Sequence, residues 1–159
     1  METDVRAISV SRDGKWIVCG SSQGASMWNA KTQEKAIEVE GTDMVNTVDI
    51  SPDSARFATT AGTRGYNFFK ASIWNIVTGK RLVGPLYLDC ITAIKFSLNG
   101  KLIAAAIAWH SICIFDSRNG DKLITIYTDV YGWFPFAPLA WSNNGVCFHC
   151  TLQPYNQVF

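Results

Sequence analysis

Ile91-Thr92-Ala93-Ile94-Lys95-Phe96-Ser97-Leu98-Asn99-Gly100 carries a pattern that returns three more times along the chain. An apolar residue, two intervening positions, a second apolar residue, one intervening position and a third apolar residue precede a serine. The other copies are Val5, Ile8, Val10, Ser11; Val45, Val48, Ile50, Ser51; and Phe136, Leu139, Trp141, Ser142. The four serines lie 40, 46 and 45 residues apart. Self-similarity at a fixed period of that size marks a repeat architecture.

Outward from each serine the chain reads as a hairpin. The turns are Ser11-Arg12-Asp13-Gly14, Ser51-Pro52-Asp53-Ser54, Ser97-Leu98-Asn99-Gly100 and Ser142-Asn143-Asn144-Gly145. Asp and Asn tolerate left-handed backbone angles, and Pro52 pre-sets the second turn position. An apolar run follows each turn: Trp16 to Cys19, Arg56 to Thr59, Leu102 to Ala106 and Val146 to Cys150. In three copies a third run ends Met27-Trp28-Asn29, Ile73-Trp74-Asn75 or Ile114-Phe115-Asp116, and a polar turn leads to a fourth. Four short strands per ~40–45 residues predict a propeller blade. A blade covered on both faces explains runs that are nearly continuously apolar. Local propensity dissents at the alanine-rich 101–109 and over 29–40, which suits a helix, but the repeat register outweighs it.

The turns and aromatic-plus-Asn endings resemble WD40 repeats, and Ile73 to Leu86 followed by Ile91 to Gly100 resembles the degenerate repeats of fungal proteins. In such proteins a propeller array often follows a nucleoside-triphosphatase signalling domain. The resemblance implies an all-β, partial β-propeller of four-stranded antiparallel blades in a repeat region over 4–159. Repeats 5–40, 45–88 and 91–127 supply complete blades, and 136–159 supplies half of a fourth. Three and a half blades close no ring, so the chain reads as a fragment or truncated product, or as one whose two copies complete a ring. The family's Gly-His is missing: Gly41 precedes Thr42 and Gly84 precedes Pro85. The aspartate expected between second and third strands is replaced by residues such as Gln23 and Trp109. The family's Trp-Ser-His-Asp hydrogen-bond tetrad is therefore not expected in its usual form, and blades of lower stability are.

Composition narrows the function classes. The 159 residues are 48% hydrophobic, 13% aromatic and 17% charged, against ~25% charged in ordinary soluble domains, which excludes a disordered, charge-dominated chain. A formal charge of +1 excludes the basic stripe of a nucleic-acid module. The apolar run from Leu102 to Phe115 is too short for a membrane helix, and the N-terminus does not read as a signal peptide. Five cysteines at positions 19, 90, 113, 147 and 150 suggest no disulfide framework, so reduced thiols in the cytosol or nucleus are expected.

Several motifs invite chemistry. Gly20-Ser21-Ser22-Gln23-Gly24 matches the nucleophile elbow of serine hydrolases, with His110 and His149 as the available bases. The register instead puts Ser22 in a hairpin loop. Cys147-Phe148-His149-Cys150 offers two thiols, but on a strand residues three apart face opposite ways, and a zinc site needs a second pair. Gly62-Thr63-Arg64-Gly65 lacks the Lys-Ser/Thr of a phosphate-binding loop. It opens the one clear insertion: Ser51 and Trp74 lie 23 positions apart, against 17 and 18 in the first and third repeats. Thr63 to Phe69 are read as extra loop residues. A second irregular segment, Tyr131 to Phe136, joins the third and fourth repeats.

In the fold that the resemblance implies, both loops emerge on one face, so Arg64, Tyr66, Trp133 and Phe134 form the candidate partner-binding surface; such residue types are enriched at interface hot spots. Trp28, Trp74 and Phe115 read as core and blade-contact residues, and Asp13, Asp53, Asn99 and Asn144 as turn formers. The expected function is a non-catalytic protein-interaction scaffold without cofactor or metal, binding protein partners and covering its open blade faces by self-association. A propeller-type or serine hydrolase using Ser22, and a truncated relic without function, are the alternatives.

Overall fold

The computed structural model describes residues 4–39, 44–62, 69–107, 111–127, 139–143, 145 and 147–149. All regular structure among them is β. The first sheet comprises β1 (Val5–Val10), β2 (Trp16–Ser21), β3 (Gly24–Asn29) and β4 (Lys35–Val39). The second comprises β5 (Val45–Ile50), β6 (Arg56–Ala61), β7 (Phe69–Asn75) and β8 (Arg81–Leu88). The third comprises β9 (Ile91–Phe96), β10 (Leu102–Ile107), β11 (Ser111–Asp116) and β12 (Lys122–Tyr127). A fourth sheet is represented by β13 (Leu139–Trp141) and β14 (Cys147–His149). Each sheet is an antiparallel meander in sequence order, and the first strands β1, β5, β9 and β13 lie against one another in succession. The chain forms three complete propeller blades and the first two strands of a fourth. The helix-favouring stretch before Glu40 forms β4, and the alanine-rich one forms β10.

The recurring serine has a defined structural task. Ser11 Oγ donates to Asp13 Oδ1 at 2.6 Å and accepts the Trp16 N–H at 2.9 Å. Ser51 does the same with Asp53 at 2.6 Å and Arg56 at 2.9 Å, and Ser97 with Asn99 at 2.8 Å and Leu102 at 3.0 Å. The Asp or Asn oxygen then accepts the N–H two residues on, from Lys15, Ala55 or Lys101. One buried hydroxyl thus satisfies a backbone donor that the tight turn would otherwise leave without a partner. At the ends of the third strands, Asn29 Oδ1 accepts the N–H groups of Lys31 and Thr32, and Asn75 Oδ1 those of Val77 and Thr78. Asp116 accepts from the Arg118 N–H and side chain.

The core is divided between sheets. Cross-strand partners share a face, and each sheet has two. The face bearing Ile50, Phe57 and Trp74 of the second sheet packs on Val18, Ala25, Met27 and Val39 of the first. Its opposite face, with Ala58, Ala71, Ile73 and Val83, packs on Ile94, Phe96, Ile103 and Phe115 of the third. Ala104, Ala106, Ile112 and Ile114 of the third sheet receive Leu139 and Trp141. We call the aromatic-ending face leading and its opposite trailing: at every described junction a leading face meets the trailing face of the preceding sheet. This two-sided burial is why the strands read as nearly continuous apolar runs.

Glycine fastens the outer strands. Gly120, with φ of +81°, lies so close to the second sheet that a Cβ would stand 2.6 Å from Val83 Cγ1. One expectation needs correction. Phe69 is not part of the inserted loop: it is buried, begins β7 and pairs with Leu88, because its ring lies against Gly62 at the end of β6. Of the family's hydrogen-bond tetrad, which is not expected here in its usual form, one link is present in the second sheet. Buried Trp74 donates its Nε1–H to Thr59 Oγ1 at 2.9 Å, keeping the indole-to-hydroxyl link. In the first sheet Cys19 holds the position of Thr59, and Trp28 turns to Ser26 on its own strand at 3.0 Å.

Candidate interaction surface

The meander sorts the connections between two ends. The serine turns and the Asn- or Asp-capped turns lie at one end. At the other lie Ser22-Gln23, the strand ends that flank positions 63–68 and 108–110, and the last residues of each fourth strand with the first residues of the strand that follows it. The strand ends flanking Arg64 and Tyr66, and those flanking Trp133 and Phe134, are therefore at the same end. All four residues lie outside the described residues, as do Trp109, His110 and Cys150.

The base of the inserted segment is built firmly. The Gly62 N–H donates to the Met44 carbonyl at 3.1 Å, and Asn46 Nδ2 donates to the Gly62 carbonyl at 3.0 Å. Arg6 of β1 reaches Asn46 Oδ1 at 3.3 Å, and the Thr47 and Thr60 hydroxyls meet at 3.0 Å. Phe69 closes the other side of this base. Strands from two sheets thus hold the strand ends that flank positions 63–68.

On the innermost strands, buried Asp49 of β5 accepts Lys95 Nζ at 2.7 Å and the Phe96 N–H at 2.8 Å, both from β9. Burial pushes its carboxyl above the ordinary carboxylate range, against the opposing pull of Lys95 and the two backbone N–H groups of Phe96 and Ile50. At the turn end, Arg56 bridges the second and third sheets. Its Nη1 donates to the Ser117 carbonyl and hydroxyl at 3.0 and 3.1 Å, its Nη2 to the Gly100 carbonyl at 2.9 Å, and its guanidinium lies 5.6 Å from the Phe96 ring centroid. Neither site was anticipated. The signal for Arg56 was its departure from Trp16 and Leu102 at the same repeat position; for Asp49 it was a carboxylate between Val48 and Ile50.

Ser22 is exposed in a two-residue turn between β2 and β3, closed by the Ser21–Gly24 pair. A nucleophile elbow needs a strand followed by a helix, and here a strand follows. Cys147 and His149 belong to β14. Among the described residues, Cys19 and Cys113 carry free thiols, and no three His, Cys, Asp or Glu side chains converge to hold a metal ion.

Residues 2–29 match the family described as "WD domain, G-beta repeat". The chain is 28% identical over 135 residues to a guanine nucleotide-binding protein subunit beta of Arabidopsis thaliana, covering 77% of this chain and 34% of that protein. It is 31% identical over 136 residues to the Cross-pathway control WD-repeat protein 2 of Flammulina velutipes, covering 81% of this chain and 41% of that one. It therefore spans between a third and a half of the length of these relatives. Among solved structures it resembles Kuenenia stuttgartiensis hydrazine synthase, with a TM-score of 0.71 at 22% identity over 91% of this chain and 42% of the other. It also resembles the computationally designed Ika4 protein, with a TM-score of 0.69 at 18% identity over 96% of this chain and 94% of the other. At those identities the likeness is one of fold. The serine turns, the Trp-Asn strand ends, the four-stranded sheets and these relatives agree: the chain is built of WD40 repeats and belongs to the WD40-repeat family.

Proposed function

We propose that this chain is a non-catalytic protein-interaction scaffold that presents its partner-binding residues at the loop end of the blades. WD40-repeat proteins are in general protein-interaction scaffolds and typically not catalysts. The observation that carries the reading is the base of segment 63–68, fixed by Met44, Asn46 and Phe69. Rigid presentation limits the ordering cost of binding, and insertions on such a frame are where function concentrates. Arg64, Tyr66, Trp133 and Phe134 are the proposed anchors. The free thiols of Cys19 and Cys113 support a cytosolic or nuclear setting.

The test is crosslinking capture with the parent chain, Arg64→Glu, Trp133→Ala and, as a control at the opposite end, Lys15→Glu. Loss of the same captured protein with the first two, unchanged melting, and full capture by Lys15→Glu are expected. Capture unaffected by both loop-end variants overturns the assignment. Labelling of Ser22 by an active-site serine probe overturns the non-catalytic reading.

A further inference from the structure

The near-neutral total of the sequence conceals a separation of charge between the two ends of the sheets. In the three complete sheets, the connections from first to second strand and from third to fourth make up the turn end. With the strand residues that bound them, they hold ten basic and five acidic residues. That end carries a formal +5 in a chain of formal charge +1, so the remainder carries −4. The placement repeats: each fourth strand opens on an exposed basic residue, Lys35, Arg81 or Lys122. Three of the carboxylates are already matched. Asp13 lies 3.5 Å from Lys15, Asp53 3.9 Å from Arg56 and Asp116 2.6 Å from Arg118. Arg12, Lys31, Lys80, Arg81, Lys101 and Lys122 are exposed and form no ion pair among the described residues. Against them stand Glu34 and Asp121, and Asp121 accepts Asn119 Nδ2 at 2.6 Å.

The second and third sheets join their turns into one platform. The Ile76 N–H donates to the Ala55 carbonyl and the Ser117 N–H to the Lys101 carbonyl, each at 2.9 Å, tying the two turns of each sheet together. Arg56 then links the second sheet to both turns of the third, through the Ser117 and Gly100 carbonyls. Val77 and Leu98, 66% and 53% exposed, share these turns with Lys80 and Lys101. Cations beside exposed apolar side chains on a fixed platform complement an acidic segment that also carries apolar residues. A nucleic acid fits less well. Among the described residues no aromatic ring at this end is exposed, so bases find no stacking surface, and the paired carboxylates interrupt the path of a phosphate backbone. An anionic bilayer likewise finds none of the aromatic side chains that seat at its interface.

We propose that the turn end of the second and third sheets docks an acidic segment of a partner protein. Its carboxylates meet Lys80, Arg81, Lys101 and Lys122, and its apolar side chains meet Val77 and Leu98. This surface lies at the opposite end of the sheets from the strand ends that flank positions 63–68, so it goes beyond the scaffold reading and uses none of its anchors. The −4 carried by the rest of the chain repels such a segment and steers its approach to the turn end.

Fluorescence anisotropy of the full chain with a labelled Glu-Leu-Gly repeat peptide tests it, with the Gln-Leu-Gly peptide as the uncharged counterpart. The acidic peptide is expected to bind and the uncharged one not to. Binding should weaken about tenfold or more as salt rises from about 50 to 200 mM, because the cations are exposed and screened. Lys80→Glu combined with Lys101→Glu should weaken it about tenfold or more, and Leu98→Ser about threefold, with circular dichroism confirming folding of each. Arg64→Glu, a charge reversal outside the platform, should bind the peptide as the parent does. Loss of loop-end capture by Arg64→Glu and loss of peptide binding by the platform variant are therefore separate results, and either reading can fail alone. An acidic peptide that does not bind overturns the proposal, as does Arg64→Glu weakening it as much as the platform variant. Tighter binding of a single-stranded oligonucleotide or of phosphatidylserine vesicles than of the acidic peptide overturns the choice of partner.

Discussion

Arg56 is the side chain whose loss tests inter-sheet packing most sharply. It makes three hydrogen bonds from a charged donor across to the third sheet and lies against Phe96, with Asp53 3.9 Å away on its own turn. Hydrogen bonds to a charged group contribute ~1.5–3 kcal/mol each, but those sharing one guanidinium do not add. The Gly100 carbonyl also keeps the Ser117 hydroxyl at 2.6 Å, which softens the loss. Arg56→Ala is therefore expected to cost about 2–4 kcal/mol, a fall in Tm of roughly 5–15 °C for a chain of this size. Arg56→Met, which retains the apolar stem over Phe96, should lose about half of that. Urea unfolding followed by fluorescence and circular dichroism measures both. In a double cycle, Ser117→Ala should cost less in the Arg56→Ala background than in the parent, because the two side chains share partners. Arg56→Ala melting within a degree of the parent, or costs that simply add, would refute the bridge.

Trp74→Phe and Thr59→Val each remove the buried indole–hydroxyl bond and should each cost about 1–2 kcal/mol in chemical unfolding, with the double variant costing little more than either. Gly120→Ala places a methyl 2.6 Å from Val83 at positive φ, whereas Gly14→Ala meets nothing within 4 Å. The first should destabilise by about 2 kcal/mol or more and the second by about 1 kcal/mol, the backbone cost alone, in paired melts. The Arg118 side chain, followed by the Arg118 N–H, holds the Asp116 carboxyl down to about 2 from its ordinary 3.8. A depressed carboxylate contributes its stability above the ordinary value and loses it as pH falls through about 2. A carbon-detected NMR titration should place the Asp116 midpoint there, and Arg118→Ala should return it toward 3.8.

The blade pattern was legible because it is local. Ser11, Ser51 and Ser97 each close a turn within five residues, and Asn29 and Asn75 cap turns within three, so spacing alone exposes them. What the sequence hid crosses between sheets. Arg56 meets residues 44 and 61 positions away, and Asp49 meets residues 46 and 47 away. Periodicity carries no information about partners at those separations. Phe69 was misplaced for a related reason: the insertion length was countable, but its end is fixed by a ring packing on Gly62, a contact that depends on the fold. The Trp74–Thr59 link survived the missing His and Asp because it spans adjacent strands of one sheet and needs neither. For the loop-end residues, topology places their flanking strand ends together.

Hydrogen–deuterium exchange on the chain at a concentration where it is monomeric tests the blade order most directly. The second sheet is covered on both faces and the first on its trailing face alone. Amides of β6 and β7 should therefore exchange slowest, and those of β1 to β3 faster by at least an order of magnitude. Equal protection of the first and second sheets in the monomer, or faster exchange in β6 and β7, would contradict the stacked-blade account.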